Sequence, residues 1–155
     1  MADRAPYTAA TSGRPSRQAG ARSRLAVQIA SHRYADALVA APVGGIDHVS
    51  APHFEYALAS MLAQAGNGAL VLDFSGVDYI SSAGLRVLMI AASKMKAQQG
   101  RLVVCSLRSV VSEIFAINRF HRVLTVKPTL ADALEHVSPA ALAAYRSADE
   151  GPAAP

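Results

Sequence analysis

Residues 69–85 read ALVLDFSGVDYISSAGL, and this stretch decides the fold class. Its first four residues form a short apolar run that predicts a buried strand. After Ser82, apolar residues recur at helical spacing and predict a helix that ends at Gly100. The predicted buried stripe of this helix consists of Leu85, Leu88, Met89 and Ala92. Ser81 and Ser82 therefore lie where a strand gives way to a helix.

Outward from this stretch, further strands and helices are predicted on both sides. Alternating apolar residues from Leu25 and an extended run over 34–41 predict a β-hairpin with its turn at 31–33. The glycine pair in 44–47 predicts a loop, and Ser50 is the expected capping serine of the helix that follows. The remaining predicted elements are a strand over 101–105, a helix over 109–117, a strand over 123–126 and a helix over 129–137.

This order of elements predicts an α/β domain. Parallel strands need crossover connections, and helices supply these while they pack on the sheet. We expect one domain over 25–137, with a mixed sheet of four or five strands, an N-terminal hairpin and about four helices. Residues 138–155 are expected to form a helical extension and a frayed tail, because Pro139 interrupts the preceding helical pattern.

Positive charge is concentrated at the N-terminus. Residues 1–24 contain five arginines and one aspartate, so they account for the whole net charge of +4. Nucleic-acid binding requires cations gathered on a folded surface, and the rest of the chain has no such surplus. We therefore expect no direct nucleic-acid partner and a disordered basic arm over 1–24.

Composition argues against several other classes of protein. No apolar run approaches the roughly 18 residues that a membrane span needs, and the first residues lack the apolar middle of a secretory signal. Cys105 is the only cysteine, which suits a reducing compartment, so we expect a cytoplasmic protein without membrane insertion. The five histidines match no metal-binding spacing and no phosphate-binding loop is present, so we expect no metal and no cofactor.

The serine pair invites comparison with a catalytic nucleophile. In the G-x-S-x-G nucleophile elbow a serine is exposed at a strand-to-helix turn, but here Ile80 replaces the first glycine. His121 and His136 follow in the sequence, and no spacing selects either as the general base. We therefore expect no catalytic residues and no enzyme, with hydrolysis as a distant alternative.

A serine at a helix N-terminus can be a cap or a modification site. The unpaired N–H groups and the helix dipole favour negative charge there, so the fold would tolerate a phosphate. The phosphate adds about −1.5 to −2 charges and would repel a partner packed on that surface. Ser82 is thus a candidate switch, while a simple capping role for Ser81 or Ser82 stays open.

Several motifs of residues 25–137 resemble, in order, the STAS domain of bacterial anti-sigma-factor antagonists. VGGIDHVSAPHFEYAL (43–58) is similar to the family's G-E-L-D loop and following helix, and DYISSAGLRVL (78–88) to its D-S-S-G-L phosphorylation loop and helix. GRLVVCSLRSVVSEIFAINRF (100–120) is similar to a later strand-helix unit. The resemblance implies a STAS-like fold.

The resemblance also implies regulation of transcription by partner switching. Unphosphorylated members bind an anti-sigma factor, often a serine kinase, and so free a sigma factor. Phosphorylation of the loop serine ends the binding, and a serine phosphatase restores it. Alignment on Gly84 and Leu85 places Ser82 at the phosphorylated position, with Ser81 as the alternate. The partner-binding residues implied are Asp47, Ser81, Ser82, Ala83, Gly84, Leu85 and Arg86.

Three residues depart from the family pattern. Ser81 replaces the usual acidic residue before the phosphorylated serine, Ala83 replaces the serine or threonine after it, and Ile46 replaces the glutamate of G-E-L-D. These departures support a second hypothesis, in which the chain is a non-phosphorylated STAS subunit of a transport or signalling assembly.

Overall fold

The structure, a computed structural model, describes residues 27–150. The predicted arm over 1–24 and the last part of the predicted tail, 151–155, lie outside the described residues. Among the described residues, no helix combines the length and the apolar character that a membrane crossing demands.

Strands and helices alternate along most of the described chain. The strands are β1 (Gln28–Tyr34), β2 (Ala37–Ile46), β3 (Ala69–Asp73), β4 (Gly76–Ile80), β5 (Arg101–Cys105) and β6 (Thr125–Lys127). The α-helices are α1 (Ala51–Ala65), α2 (Ser82–Ala97), α3 (Ser109–Ile117), α4 (Leu130–Val137) and α5 (Pro139–Glu150), and a 3₁₀ helix spans Phe120–Arg122.

The strands form one mixed sheet. Its order is β1-β2-β3-β5-β6, with β4 paired to β2. β1 runs antiparallel to β2, and the other pairs are parallel. The ten residues of β2 serve two neighbours, because Ala37–Ala40 pairs with β3 and Val43–Ile46 pairs with β4. The predicted α/β class, mixed sheet and N-terminal hairpin are therefore confirmed.

β4 is the strand that the sequence pattern did not predict. Its two buried residues, Val77 and Ile80, are three apart, whereas a regular strand buries every second residue. The spacing reflects an irregularity in the pairing with β2, where the register shifts between Gly44 and Gly45. A bulge of this kind hides the alternation on which sequence analysis depends. The predicted loop at 44–47 is also corrected, since both glycines belong to β2.

The hairpin turn lies further along the chain than predicted. Residues 31–33 belong to β1, and the turn is formed by Ala35 and Asp36. Ala35 has a positive φ of 55°, which is typical of two-residue hairpin turns and which a non-glycine residue adopts at some cost. Residues 30–33 are exposed, so no apolar alternation marks the end of the strand.

Helices cover both faces of the sheet and create two apolar cores. The larger core joins one face of the sheet to α1, α2 and α3, and includes Leu38, Phe54, Leu72 and Leu88. The smaller core packs α4 and α5 on the other face, around Val39, Val71, Val103, Leu134 and Ala141. The two cores hold the sheet from both sides and fix the positions of its strand ends.

The buried face of α2 differs from the predicted one at one position. Leu85 and Leu88 are buried as expected, but Met89 is 48% exposed. At 100° per residue, Met89 lies within about 20° of Ser82 around the helix, on the side that faces solvent. The prediction that Met89 is a core residue was wrong, because the buried stripe continues through Ala91 and Met95 instead.

Candidate functional site

Two loops meet at the carboxyl ends of β2 and β4. We call residues 46–50 the aspartate loop and residues 80–84 the serine loop. Their strands are parallel neighbours, with Ile46 opposite Ile80 in the register, so both loops leave the sheet at the same edge. The backbone N–H of Ser81 donates a 2.8 Å hydrogen bond to the carbonyl oxygen of Ile46. The two motifs are therefore adjacent in the fold.

Gly84 allows the loops to approach this closely. A Cβ at this position would lie 2.6 Å from Cγ1 of Ile80 and 2.8 Å from Cγ2 of Ile46. Such distances lie well inside van der Waals contact, so any side chain here would push the first turn of α2 away from the aspartate loop. Gly84 is buried and acts through the position that it gives to its neighbours.

Ser81 is the N-cap of α2. Its backbone is extended (φ −91°, ψ 174°), and its Oγ accepts a hydrogen bond of 3.3 Å from the N–H of Gly84. Its carbonyl oxygen also accepts from the N–H of Leu85, at 2.9 Å. The side chain of Ser81 thus satisfies one N–H group that the start of a helix would otherwise leave free, and its carbonyl oxygen accepts the first hydrogen bond within α2.

Ser82 is the first residue of α2 and is exposed, whereas Ser81 is half-buried. The capping role that the sequence leaves open therefore falls on Ser81. Ser81 contributes the cap, and Ser82 places its hydroxyl group on the accessible surface. A change at Ser82 leaves the hydrogen bonds of the cap in place.

Asp47 organises its own loop. One carboxylate oxygen, Oδ1, accepts hydrogen bonds from the N–H groups of Val49 and Ser50, both at 2.9 Å, and from the Ser50 hydroxyl at 3.2 Å. The N–H of Ser50 is the main reason why the pKa of the Asp47 carboxyl lies below its usual value, and partial desolvation opposes this effect. Asp47 therefore stabilises the loop that lies against Ser81.

Ser50 is fully buried and does not cap α1 in the predicted way. Its backbone is already near-helical (φ −85°, ψ −15°), whereas a capping serine is normally extended. Its hydroxyl oxygen accepts from the N–H of Asp47 at 3.0 Å. Its single hydroxyl hydrogen is shared between the carbonyl oxygen of Gly45 at 2.9 Å and Oδ1 of Asp47 at 3.2 Å. The predicted capping bond is replaced by bonds to Asp47 in the aspartate loop and to Gly45 near the end of β2.

The predicted site residues differ in accessibility. Ser82 and Arg86 are exposed, Asp47, Ser81 and Ala83 are half-buried, and Gly84 and Leu85 are buried. Gly84 and Leu85 thus form the support of the site, and Ser82 and Arg86 form its surface.

Two exposed apolar residues extend this surface along α2. Met89 is 48% and Ile90 is 37% exposed. Both follow Arg86 on the side of the helix that begins with Ser82. Sequence analysis missed them, although helical spacing measured from Ser82 would have placed Met89 beside it. We call the set Ser82, Arg86, Met89 and Ile90 the α2 stripe.

The histidines weighed as catalytic bases lie on other elements. His121 belongs to the 3₁₀ helix, and His136 belongs to α4, which covers the opposite face of the sheet from α2. The described residues contain no group of three or more His, Cys, Asp or Glu side chains suited to a metal ion.

Comparison with known proteins identifies relatives over most of the described chain. Residues 28–133 match the STAS domain family. BtrV of Bordetella bronchiseptica, which is named as an anti-sigma factor antagonist, is 38% identical over 89 residues, covering 57% of this chain and 76% of BtrV.

Solved structures of anti-sigma factor antagonists also superimpose on this chain. An anti-sigma factor antagonist from Mycobacterium paratuberculosis superimposes with a TM-score of 0.65 at 27% identity, covering 72% of this chain and 93% of that chain. The unphosphorylated form of the anti-sigma factor antagonist SpoIIAA superimposes with a TM-score of 0.53 at 15% identity, covering 72% and 96%. At that identity the likeness to SpoIIAA concerns the fold.

Proposed function

Because this chain belongs to the STAS domain family of anti-sigma factor antagonists, we propose that it binds an anti-sigma factor and so releases a sigma factor. The proposed partner is itself a serine kinase, and the chain is proposed to act in the cytoplasm. Phosphorylation of Ser82 ends the binding, and a serine phosphatase restores it.

The position of Ser82 is the observation that carries this proposal. Its side chain is exposed at the start of α2, while Ser81 supplies the hydrogen bonds that hold the helix start. A kinase therefore reaches the Ser82 hydroxyl without breaking the cap. Support also comes from SpoIIAA, a protein of the same fold whose structure has been determined in a phosphorylated form.

The phosphoryl transfer is an ordinary displacement at phosphorus. The Oγ of Ser82 forms a bond to the γ-phosphorus of Mg-ATP, the bond to the β–γ bridging oxygen breaks, and ADP leaves. The hydroxyl proton passes to a base of the kinase. The phosphatase reverses the modification with water and yields serine and inorganic phosphate. Each cycle adds and removes about −1.5 to −2 charges.

The α2 stripe is the proposed docking surface for the anti-sigma factor. It combines two apolar side chains with one guanidinium, and protein interfaces are enriched in methionine and arginine. Ser82 lies at one end of the stripe. A phosphate there places negative charge at the edge of the proposed contact.

Phosphorylation and binding can be tested with the full chain and its kinase partner. Incubation with Mg-ATP followed by mass spectrometry should locate phosphate on Ser82, and Ser82→Ala should abolish it. Ser82→Asp should weaken binding at least tenfold with an unchanged circular dichroism spectrum. Ser112→Asp, on an exposed position of α3, is the matched control and should bind normally.

Three results would contradict the proposal in different ways. Phosphate on neither Ser81 nor Ser82 would remove the switch and favour the non-phosphorylated assembly subunit. Equal affinity of Ser82→Asp and the unmodified chain would show that negative charge at this position does not control binding. Phosphate on Ser81 would move the switch to the capping residue.

A further inference from the structure

We infer that Arg86 is the intramolecular partner of the phosphate on Ser82, an inference that rests on the proposed phosphorylation of that serine. The phosphate then changes the surface in two ways. It adds negative charge, and it holds a guanidinium that would otherwise be free to contact the anti-sigma factor.

The spacing along α2 brings the two side chains together. Ser82 and Arg86 are four residues apart in the same helix, and both are exposed. Residues at this spacing are neighbours on the helix surface, with Cβ atoms roughly 5–6 Å apart. The acidic group precedes the basic one, which is the more favourable order in a helix. Arginine also binds phosphate through two parallel hydrogen bonds.

One backbone donor near Ser82 is already occupied. The N–H of Gly84 already donates to Oγ of Ser81, and the N–H of Leu85 donates to the Ser81 carbonyl oxygen. A phosphate on Ser82 therefore meets a first turn in which the N–H of Gly84 is already in use. The guanidinium of Arg86, one turn further along, is the charged donor within reach.

The carboxylates around the site favour a cation beside the phosphate on Ser82. The first turn of α2 contains no acidic residue, so no carboxylate of that turn competes for Arg86. The aspartate loop contributes Asp47, with His48 beside it, and β4 contributes Asp78. The Asp47 carboxylate already accepts three hydrogen bonds from its own loop. Phosphate on Ser82 adds negative charge to a region with two carboxylates, and Arg86 offsets part of it.

The pairing makes the switch stronger than simple repulsion. In the unphosphorylated chain, Arg86 is exposed on the proposed docking surface and can bind an acidic group of the partner. In the phosphorylated chain the same guanidinium is directed toward Ser82. The anti-sigma factor then meets added negative charge and also loses a cationic contact.

The test measures the phosphate itself and needs neither kinase nor partner. Phosphoserine is incorporated at position 82 of the full chain during translation, and its second ionisation is followed by ³¹P NMR. A nearby guanidinium favours the dianion, so it lowers the titration midpoint from the ordinary value near 6. Arg86→Gln should raise the midpoint by about 0.3 pH unit or more. Arg86→Lys should retain part of the effect as a point charge.

The matched control is Lys94→Gln, which removes one positive charge from the same helix. Lys94 lies eight residues beyond Arg86, about 12 Å further along the axis, where salt screens most of its effect. Its loss should leave the midpoint within about 0.1 pH unit. The difference between the two variants separates a pairing role from a general change in net charge.

An equal midpoint for the unmodified Arg86 chain and Arg86→Gln would overturn the inference. Circular dichroism checks that the variants are folded, and the midpoint of the Arg86 chain should rise toward that of Arg86→Gln as salt is added. Failure of the kinase to modify Ser82 would remove the proposed function while leaving this measurement of pairing intact. The two failures are therefore distinguishable.

Discussion

The backbone N–H of Ser81 donates a 2.8 Å hydrogen bond to the carbonyl oxygen of Ile46. This bond joins the serine loop to the aspartate loop, and the parallel pairing of β2 with β4 holds both loops at one edge of the sheet. The start of α2 is thus fixed by contacts from a distant part of the sequence. Substitutions of buried residues test the stability of this junction, and substitutions of exposed residues test the reactivity of its surface.

Gly84→Ala should destabilise the protein. The added Cβ would collide with Ile80 and Ile46, at 2.6 and 2.8 Å, and overpacking of this kind costs about 1–3 kcal/mol. The better helix propensity of alanine offsets at most about 1 kcal/mol. Urea denaturation gives the difference in unfolding free energy. Gly45→Ala is the matched control, because its Cβ would find its nearest atom at 3.5 Å. Equal stability of the two variants would contradict the role given to Gly84.

Ser81→Ala and Ser82→Ala should differ in stability although the two residues are adjacent. Removal of the Ser81 hydroxyl deletes the cap of α2 and should lower the unfolding free energy by about 1 kcal/mol. Removal of the exposed Ser82 hydroxyl should change it by less than about 0.5 kcal/mol. Thermal denaturation of both variants against the unmodified chain checks this. If Ser82→Ala loses more unfolding free energy than Ser81→Ala, the capping role is assigned to the wrong serine.

The sequence predicts those parts of the fold that follow a regular period. The runs at 69–72 and 101–105 and the helical spacing after Ser82 are enough for the α/β class. β4 escapes prediction because a bulge breaks its alternation, and the hairpin turn shifts because the exposed residues of β1 carry no pattern. These features depend on pairing between strands, which local sequence does not encode.

The candidate site is likewise predicted only in part by the sequence. Motif order locates Ser82 and Arg86, and both prove to be exposed on α2. Helical spacing predicts that Leu85 is buried, but it does not reveal that Met89 faces solvent, because the angle at which α2 packs on the sheet decides this. Motif order also leaves the cap unassigned, since either serine is a suitable residue type. The hydrogen bond from Gly84 assigns it to Ser81.

Asp47 should make stability depend on pH in the acid range. Its pKa is lower in the folded protein than the ordinary value near 3.9, chiefly because the carboxylate accepts a hydrogen bond from the N–H of Ser50. The stabilisation is fully present above the unfolded-state pKa and is lost as pH falls through the folded-state pKa. Asp47→Asn keeps the acceptor oxygen but not the charge. Its stability should therefore decline less steeply below about pH 4.

The measurement for Asp47 is urea denaturation at a series of pH values from about 3 to 7. The difference in unfolding free energy between the unmodified chain and Asp47→Asn should be largest near neutral pH and should decrease in acid. NMR titration of the Asp47 carboxyl carbon gives the folded-state pKa directly. Parallel stability curves for the two proteins would contradict the role given to the loop hydrogen bonds.

Cys105 should react very slowly with thiol reagents while the protein is folded. Burial is the main cause that raises the pKa of its thiol to about 12, and the Asp73 carboxylate acts in the same direction. At pH 8 only about one thiol in ten thousand would then be ionised, and the side chain is also inaccessible. Alkylation with iodoacetamide should accelerate sharply above the urea midpoint. Rapid labelling in the absence of urea would show that β5 opens readily.

Met89→Glu should weaken binding of the anti-sigma factor without weakening the fold. Met89 is 48% exposed on the proposed docking surface, so a carboxylate there remains hydrated in the free protein but must be desolvated or repelled in the complex. Tyr56→Glu is the matched control, because Tyr56 is 84% exposed on α1 and lies outside the α2 stripe. Isothermal titration calorimetry should show at least a tenfold loss of affinity for the anti-sigma factor in Met89→Glu and little change of affinity in Tyr56→Glu. Both substitutions add the same charge to an exposed apolar position. A loss of affinity in Tyr56→Glu but not in Met89→Glu would therefore place the docking surface on α1.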